Sequence, residues 1–329
     1  MARLAAVTGA TGFVGRYIVS ALAARGWNLR ILARRVPDHP QLAHLKLEAV
    51  LGDLSDGSAL RKLVDGADTV IHAAGLIKAP AASAFRAVNV GGTVNLAIAI
   101  KESRGTKRVL LVSSIAAREP QLSHYAYTKR AGEEMLAATL GSRAEWAVVR
   151  PCAVYGPWDR ETLGIFRAVS LGVALRPRVA NARIALIHAV DAAAAIATLC
   201  DRGPAGTTLE LTDERPEGYS WDEIASAAET ALGVKALTLS IPGAALRTAA
   251  AANVAAAWVL RRTAMLTPGK AREILHADWG STAARQPSRE LWQPAIGLRQ
   301  GFLETARWYR EQNWLSSAPA LWAPRGTLQ

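Results

Sequence analysis

Short apolar runs alternate with stretches of helical periodicity through the first half of the chain. The runs are Leu4-Ala5-Ala6-Val7, Leu29-Arg30-Ile31-Leu32-Ala33, Leu47 to Leu51, Thr69 to His72, Val109 to Val112 and Trp146 to Val149. Each is short and aliphatic, and each is followed by a polar residue, a glycine or a small-residue turn, the pattern of a strand buried on both faces. Strands of this kind separated by helices predict a parallel sheet covered by helices on both sides. Beyond Arg150-Pro151 the texture changes: nine of the ten tryptophans lie from Trp146 onward and the alternation fades. Only Ile184 to Ile187 and Thr208 to Leu211 read as further strands, expected to complete the sheet. The expected organisation is a sheet domain over 1–152, completed by about 184–202 and a strand near 208–211. A smaller, mostly helical lobe is expected over 153–183 and 203–315, and a frayed or linker-like tail over 316–329.

The first run leads directly into Thr8-Gly9-Ala10-Thr11-Gly12-Phe13-Val14-Gly15. Gly9 suits a tight turn, Gly12 lets backbone approach a pyrophosphate, and Gly15 lets the next helix, Arg16 to Arg25, pack closely on the strand. Gly26 then stands where a helix C-terminal glycine belongs. The fold class expected is therefore α/β, a Rossmann-like doubly wound parallel sheet binding a dinucleotide. Ligands of such sheets lie beyond the carboxyl ends of the strands, so Asp53-Leu54, Ala73-Ala74-Gly75, Ser113-Ser114 and Pro151-Cys152 should line one crevice. An acidic residue that would bind a ribose 2′-hydroxyl is missing after the second strand, where Arg34-Arg35 stands instead. Guanidinium groups there suit a 2′-phosphate, which predicts NADP(H) over NAD(H); the alternative is a pair of solvated strand-end charges. Asp53 suits either an adenine amine or a cap or turn before a helix beginning near Ser58.

Candidate chemistry comes from Tyr125-Ala126-Tyr127-Thr128-Lys129, eleven residues beyond Ser114. Residues at i and i+4 share a helix face, so the phenol of Tyr125 and the ammonium of Lys129 project together. A nearby cation favours phenolate and should lower the tyrosine pKa from its usual ~10. A serine hydroxyl beside the phenol would hold a substrate oxygen during proton exchange, as carbonyl and alcohol redox chemistry requires. Taken alone, the same spacing also fits an ordinary solvated face.

The 329 residues carry a net charge of +12 without blocks of basic residues. An anionic cofactor or substrate, an anionic membrane and nucleic acid would each answer that charge, but only the first has a motif behind it. Ala249 to Leu260 is too short to span a membrane at ~20 residues, leaving a core or dimer helix, or an interfacial one. Membrane contact and nucleic-acid binding are not expected. Cys152 and Cys200 form no disulfide framework or metal-ligand pattern, and no secretory leader precedes Gly9, so a cytoplasmic protein without a metal site is expected. The tryptophans serve either packing or a substrate pocket.

These motifs together resemble the extended short-chain dehydrogenase/reductase superfamily, in its NAD-dependent epimerase/dehydratase group, over about Ala5 to His188. Thr8 to Gly15 is similar to the family's cofactor turn, Asp53-Leu54 to its adenine contact, and Ile71-His72-Ala73-Ala74-Gly75 to its fourth-strand motif. Asn89 stands at the family's structural asparagine, and Ser114, Tyr125 and Lys129 at its catalytic triad. Arg150-Pro151-Cys152-Ala153-Val154-Tyr155-Gly156-Pro157 is similar to the segment entering the substrate lobe, with Pro151 and Val154 near the cofactor. The texture looks closest to dihydroflavonol-reductase-like and 3β-hydroxysteroid-dehydrogenase-like members. Arg118-Glu119-Pro120 departs from the Tyr-Gly pair of many sugar-nucleotide epimerases, which weighs against a nucleotide sugar.

The resemblance implies interconversion of a ketone and a secondary alcohol on a small organic substrate. Lys129 would also bond the nicotinamide ribose. One alternative is a nucleotide-sugar epimerase or dehydratase with retained cofactor, in which Arg160, Arg167, Arg176, Arg178 and Arg183 bind a pyrophosphate. The other is a non-catalytic NADPH-binding scaffold. By analogy, Val88 to Glu102 and Ala126 to Thr139 would pair with their copies in a homodimer.

Overall fold

The computed structural model describes residues 3–315 except positions 80, 261, 263 and 265, so the tail at 316–329 lies outside the described residues. The first half builds β1 (Leu4–Thr8), α1 (Phe13–Ala24), β2 (Asn28–Ala33), β3 (Leu47–Leu51), α2 (Gly57–Val64) and β4 (Thr69–His72). A long helix follows in three parts, α3 (Ala82–Phe85), a π-helical segment (Arg86–Gly91) and α4 (Gly92–Glu102). Then come β5 (Arg108–Val112), a 3₁₀ turn (Ile115–Arg118), α5 (His124–Leu140) and β6 (Glu145–Pro151).

The second half contains β7 (Ala153–Tyr155), α6 (Leu163–Ser170), β8 (Val173–Pro177), β9 (Arg183–Ile184), β10 (Leu186–His188), α7 (Ala189–Arg202) and β11 (Thr207–Leu211). It closes with α8 (Trp221–Leu232), β12 (Leu237–Ile241), α9 (Gly243–Val259), α10 (Pro268–Ile274), β13 (Asp278–Trp279) and α11 (Leu298–Glu311).

Seven parallel strands form one sheet in the order β3-β2-β1-β4-β5-β6-β11. Successive side chains point to opposite faces, so Val7, Ile31 and Ile71 enter one core while Ala6, Leu32 and Val70 enter the other. The first core is closed by Ile18 and Leu22 of α1 with Ile196 and Leu199 of α7. The second is closed by Leu60 of α2, Leu96 and Ile100 of α4 and Leu136 of α5. The chain order reverses between β1 and β4, which opens the crevice where a ligand of such a sheet binds.

As expected from Thr208 to Leu211, β11 completes the sheet beside β6. Ile184 to Ile187 does not: β9 pairs with β13 and β10 with β7, outside the main sheet. An apolar run states that it is buried but not which partner it finds, and here Ala185 and Ile187 pack beneath α7 while the backbone pairs with lobe segments. With the β8–β12 pair, three two-stranded ribbons accompany the helices among the described residues of the lobe. Its core stacks Tyr155, Phe166, Phe302 and Tyr309, with Phe166 and Phe302 rings 4.9 Å apart. Trp158, Trp308 and Trp314 pack against one another at 4.7–6.3 Å, which assigns these tryptophans to packing.

The helix over 82–102 is long and apolar enough to cross a membrane by composition alone, yet its inner face closes the second core. In α9, by contrast, Ala250 is the buried position among the side chains described, so this helix is not a core helix.

Candidate active site

The glycine turn is shaped by two close approaches. Gly9 has φ of +73°, and a Cβ there would meet the Ala74 amide nitrogen at 2.5 Å, so the turn and the segment after β4 touch through backbone. At Gly15 a Cβ would overlap the Gly9 carbonyl, which explains how α1 starts so near the strand. Gly12 caps α1 without a side-chain hydrogen bond, and the first turn carries no acid. The amides of Phe13, Val14 and Gly15 thus face outward at a positive helix end, a donor set that fits a pyrophosphate. Arg16 steadies the loop by donating to the Thr11 carbonyl and Gln41 Oε1, both at 2.8 Å.

Thr8 is wholly buried, and its role is internal. Its Oγ1 lies 2.6 Å from His72 Nδ1 and accepts from the Ala74 amide at 3.3 Å. His72 Nε2 lies 2.9 Å from Thr93 Oγ1, and burial pushes this imidazole down to about 3, so it is neutral. The sequence placed His72 in a family motif but gave no sign of this bridge from sheet to helix.

Arg34 and Arg35 are exposed just past β2, and neither makes a side-chain hydrogen bond or ion pair among the described residues. Asp53 is exposed and turns its Oδ1 to the Ser55 amide and hydroxyl at 2.7 and 2.6 Å, which lowers its pKa. The cap of α2 is Asp56, bonded to the Ser58 and Ala59 amides; of the two structural roles weighed for Asp53, the turn is the one found. Leu54 packs beneath Gly92. Pro151 is buried in β6, and Val154 is half-buried in β7.

Asn89 sits inside the π-helical segment, where an extra residue in the turn alters the direction of the backbone groups. Its Oδ1 accepts from the Leu76 amide at 2.7 Å, and its Nδ2 donates to the Leu76 carbonyl at 3.0 Å and Thr128 Oγ1 at 3.1 Å. The asparagine thereby joins the segment after Gly75 to the helix that carries Tyr125. A Cβ on Gly75 would lie 3.2 Å from Asn89 Oδ1 and 3.6 Å from Lys129 Nζ, which brings the β4 end and the lysine together.

Ser114 caps the 3₁₀ turn, its Oγ accepting from the Ala116 amide at 3.2 Å. Ser123 caps α5 and so fixes where Tyr125 emerges in the first turn. Desolvation pushes the Tyr125 phenol up to about 12, with the neighbouring Ser114 hydroxyl opposing and Glu273 and Glu161 adding to the rise. The direction is opposite to the one expected from the spacing. Lys129 shares the helix face but donates its Nζ to the Val112 carbonyl at 2.7 Å, and burial of the amine lowers its own pKa to about 8.

Beneath the triad, Ser113 bonds Glu133, and Glu133 receives a two-pronged ion pair from Arg150 at 2.9 and 2.5 Å. From the lobe, Glu273 bonds the Ser123 hydroxyl and Arg272 donates to the Leu122 carbonyl at 2.7 Å. Arg118 reaches the Asp278 and Gly280 carbonyls, so the segment after Ser114 is tied to the lobe as well. The sequence signals none of these long-range partners, although Glu133 stands one helical turn beyond Lys129.

The arginines considered for a pyrophosphate disperse. Arg167 turns to the Trp314 carbonyl, Arg176 pairs with Asp222 at 3.0 Å, Arg183 pairs with Glu223 at 3.6 Å, and Arg160 lies over the Trp314 ring. Among the described residues no group of His, Cys, Asp or Glu is placed to hold a metal ion.

Residues 5–211 match the model of the NAD dependent epimerase/dehydratase family. The chain is 43% identical over 310 residues to a ceramide reductase of Caulobacter vibrioides, covering 94% of this chain and 95% of that protein. It is 30% identical to a ketoreductase of Stigmatella aurantiaca that acts on a 4-farnesyl-3,4-dihydroquinoline-1-oxide, covering 64% and 68% of the two chains. In fold it is similar to the dTDP-glucose 4,6-dehydratase of Streptomyces venezuelae solved with NAD, with a TM-score of 0.73 at 21% identity over 95% of this chain and 98% of that one.

Proposed function

The chain belongs to the NAD-dependent epimerase/dehydratase family of extended short-chain dehydrogenases/reductases, and from that premise we propose that it is an NADP(H)-dependent reductase interconverting a ketone and a secondary alcohol on a lipid-like molecule. The observation carrying this reading is the placement of Lys129, one helical turn beyond Tyr125 on α5, with its Nζ bonded to the Val112 carbonyl two residues before Ser114 and beside Gly75 at the crevice. When bound, the nicotinamide gives hydride to the carbonyl carbon or takes it back. Ser114 holds the substrate oxygen. Tyr125, protonated at neutral pH because burial raises it, gives that oxygen its proton on reduction. Lys129 and Asn89 fix the position of the helix and the neighbouring loop.

Support for NADP(H) is the unpaired Arg34-Arg35 at the end of β2, where no carboxylate stands to bind a 2′-hydroxyl. Support for an apolar substrate comes from the relatives' names, a ceramide reductase and a ketoreductase of a farnesylated dihydroquinoline. The dispersal of Arg160, Arg167, Arg176 and Arg183 weighs against a nucleotide sugar.

The test follows NADPH absorbance with a panel of ceramide-like, steroid and nucleotide-sugar substrates, with end-point product analysis. Consumption of NADPH with a lipid ketone, lost in Tyr125→Phe, is the expected result. Tightly retained cofactor with redox-neutral turnover of a nucleotide sugar would replace this reading by the epimerase.

A further inference from the structure

We propose that the β8–β12 ribbon and the adjoining α9 form a face by which the protein docks peripherally on an anionic lipid bilayer. The ribbon is parallel, and its register sets Val173 opposite Leu237, Leu175 opposite Leu239 and Pro177 opposite Ile241. Partners in register point to the same side, so these residues share one face, while Ala174 on the other face is buried in the lobe core. On that face Leu175, Leu237 and Leu239 are exposed, Val173 and Ile241 are half-buried, and Pro177 is buried. Leu175, Leu237 and Leu239 are 51%, 59% and 44% exposed, and Leu171, just before β8, is also exposed. Large apolar side chains gathered in this way mark an interaction surface; scattered singly they would not.

Pro242 connects the ribbon directly to α9, whose outer side continues the character of the patch with exposed Ala244, Ala249, Ala251, Ala252, Val254 and Ala255. The helix adds little hydrophobic area residue by residue, and the leucines of the ribbon carry the apolar part of the argument.

Charge identifies the partner. Residues 162–190 and 230–272, which build the ribbon and α9, contain four and six basic residues and no Asp or Glu. Much of the net charge of +12 is thus concentrated on the two segments that present the leucines. Arg176, Arg183, Lys235 and Lys270 are paired with Asp222, Glu223, Glu229 and Glu273, but Arg178, Arg247 and Arg262 are exposed and make no ion pair among the described residues. Exposed aliphatic side chains rimmed by uncompensated guanidinium groups fit a negatively charged lipid surface, where apolar burial and headgroup attraction add.

The position of the face relative to the active site fits a lipid substrate. α9 leads into α10, and α10 lies on the mouth of the catalytic helix: Gly269 packs on Ser123, and Glu273 bonds the Ser123 hydroxyl. The docking surface is thus one element removed from the start of α5, and a molecule drawn from the bilayer would enter near Tyr125.

The test is flotation of the full chain, without cofactor or substrate, on vesicles of phosphatidylcholine alone and on vesicles with one part phosphatidylglycerol to two of phosphatidylcholine. Because no turnover is read, the result is independent of the proposed reaction. At low salt the anionic vesicles should retain at least about tenfold more protein than the neutral ones, and added salt should release it. Leu175→Asp/Leu239→Asp should lower the bound fraction by about tenfold with an unchanged Tm. Should that variant misfold, Arg178→Gln/Arg247→Gln, altering only exposed side chains, tests the same face and should show the same loss of binding. The proposal is overturned by protein that stays unbound at low salt, or by variants that float as well as the wild type. It is also overturned by light scattering that finds a wild-type dimer and a monomeric Leu175→Asp/Leu239→Asp, which would assign the face to a second copy.

Discussion

The Nζ of Lys129 donates to the main-chain carbonyl of Val112, the last residue of β5, at 2.7 Å. This hydrogen bond anchors α5 to the strand end that precedes Ser113-Ser114, so Ser114, Tyr125 and Lys129 share one rigid support. It also turns the charge of Lys129 toward backbone, and desolvation of the half-buried Tyr125 pushes its phenol up to about 12.

Tyr125→Phe removes the proton donor and leaves the ring in place. The expected outcome is a fall in kcat of roughly 10²- to 10⁴-fold with cofactor Kd changed by less than about twofold, read by steady-state kinetics and fluorescence titration. Normal turnover by this variant would refute the role given to the phenol.

Lys129 is charged below about pH 8 and loses its proton above it. The kcat/KM for ketone reduction is therefore expected to hold through neutral pH and to decline above about pH 8. Lys129→Arg keeps a cation at every accessible pH, so its profile should lack that break even where its rate is lower. The same shift acts on stability with a definite sign. The unfolded lysine binds its proton more tightly than the folded one, so this group makes folding less favourable below pH 8 and relieves that cost as pH rises toward ~10.4.

Arg34→Ala is expected to raise KM for NADPH by about 10- to 100-fold, the worth of a charge-assisted hydrogen bond, and to leave KM for NADH nearly unchanged. A wild-type preference for NADH, unaffected by the substitution, would count decisively against a 2′-phosphate site.

Asn89→Leu leaves the Leu76 amide and carbonyl and the Thr128 hydroxyl without their side-chain partner. Chemical denaturation should register a loss of about 1–3 kcal/mol for each buried group left unsatisfied, and kcat should fall because the loop after Gly75 loses its tether. A variant as stable and as active as wild type would show that Asn89 positions nothing.

Glu133→Gln splits a buried ion pair with Arg150 and weakens the hold on Ser113. Leaving the guanidinium uncompensated should cost about 3–5 kcal/mol. A matching loss in Tm, with kcat of the surviving folded fraction near wild type, would mark this network as structural support.

Much of the site was legible because local geometry governs it. Gly9 and Gly15 are read correctly from strand-turn-helix context, since their requirement is steric and arises within a few residues. Tyr125 and Lys129 share a face because helical periodicity alone dictates it. The direction of the Tyr125 shift was not legible, because it depends on where the lysine amine points and on how much of the phenol is dry. Glu273 and Arg118 escaped notice for a related reason: their partners are long-range in sequence and are fixed by how the lobe closes on the sheet. The pattern over Ile184 to Ile187 correctly announced burial but not the β7 and β13 partners, since backbone pairing leaves no trace in hydrophobicity. Leu237 and Leu239 illustrate the converse, an apolar alternation that the fold leaves exposed.

The wide turn around Asn89 also has a consequence for chain-length variation. Deleting a residue from an ordinary helix rotates everything downstream by about 100° and scrambles its buried face. Within 86–91 the surplus residue is already accommodated, so a single deletion there would restore regular winding and keep Leu96 and Ile100 facing inward. Such a shortened helix should melt at a higher temperature and yet lose turnover, because the tether at Leu76 and Thr128 would no longer be aimed; robustness has been exchanged for aim at this one turn.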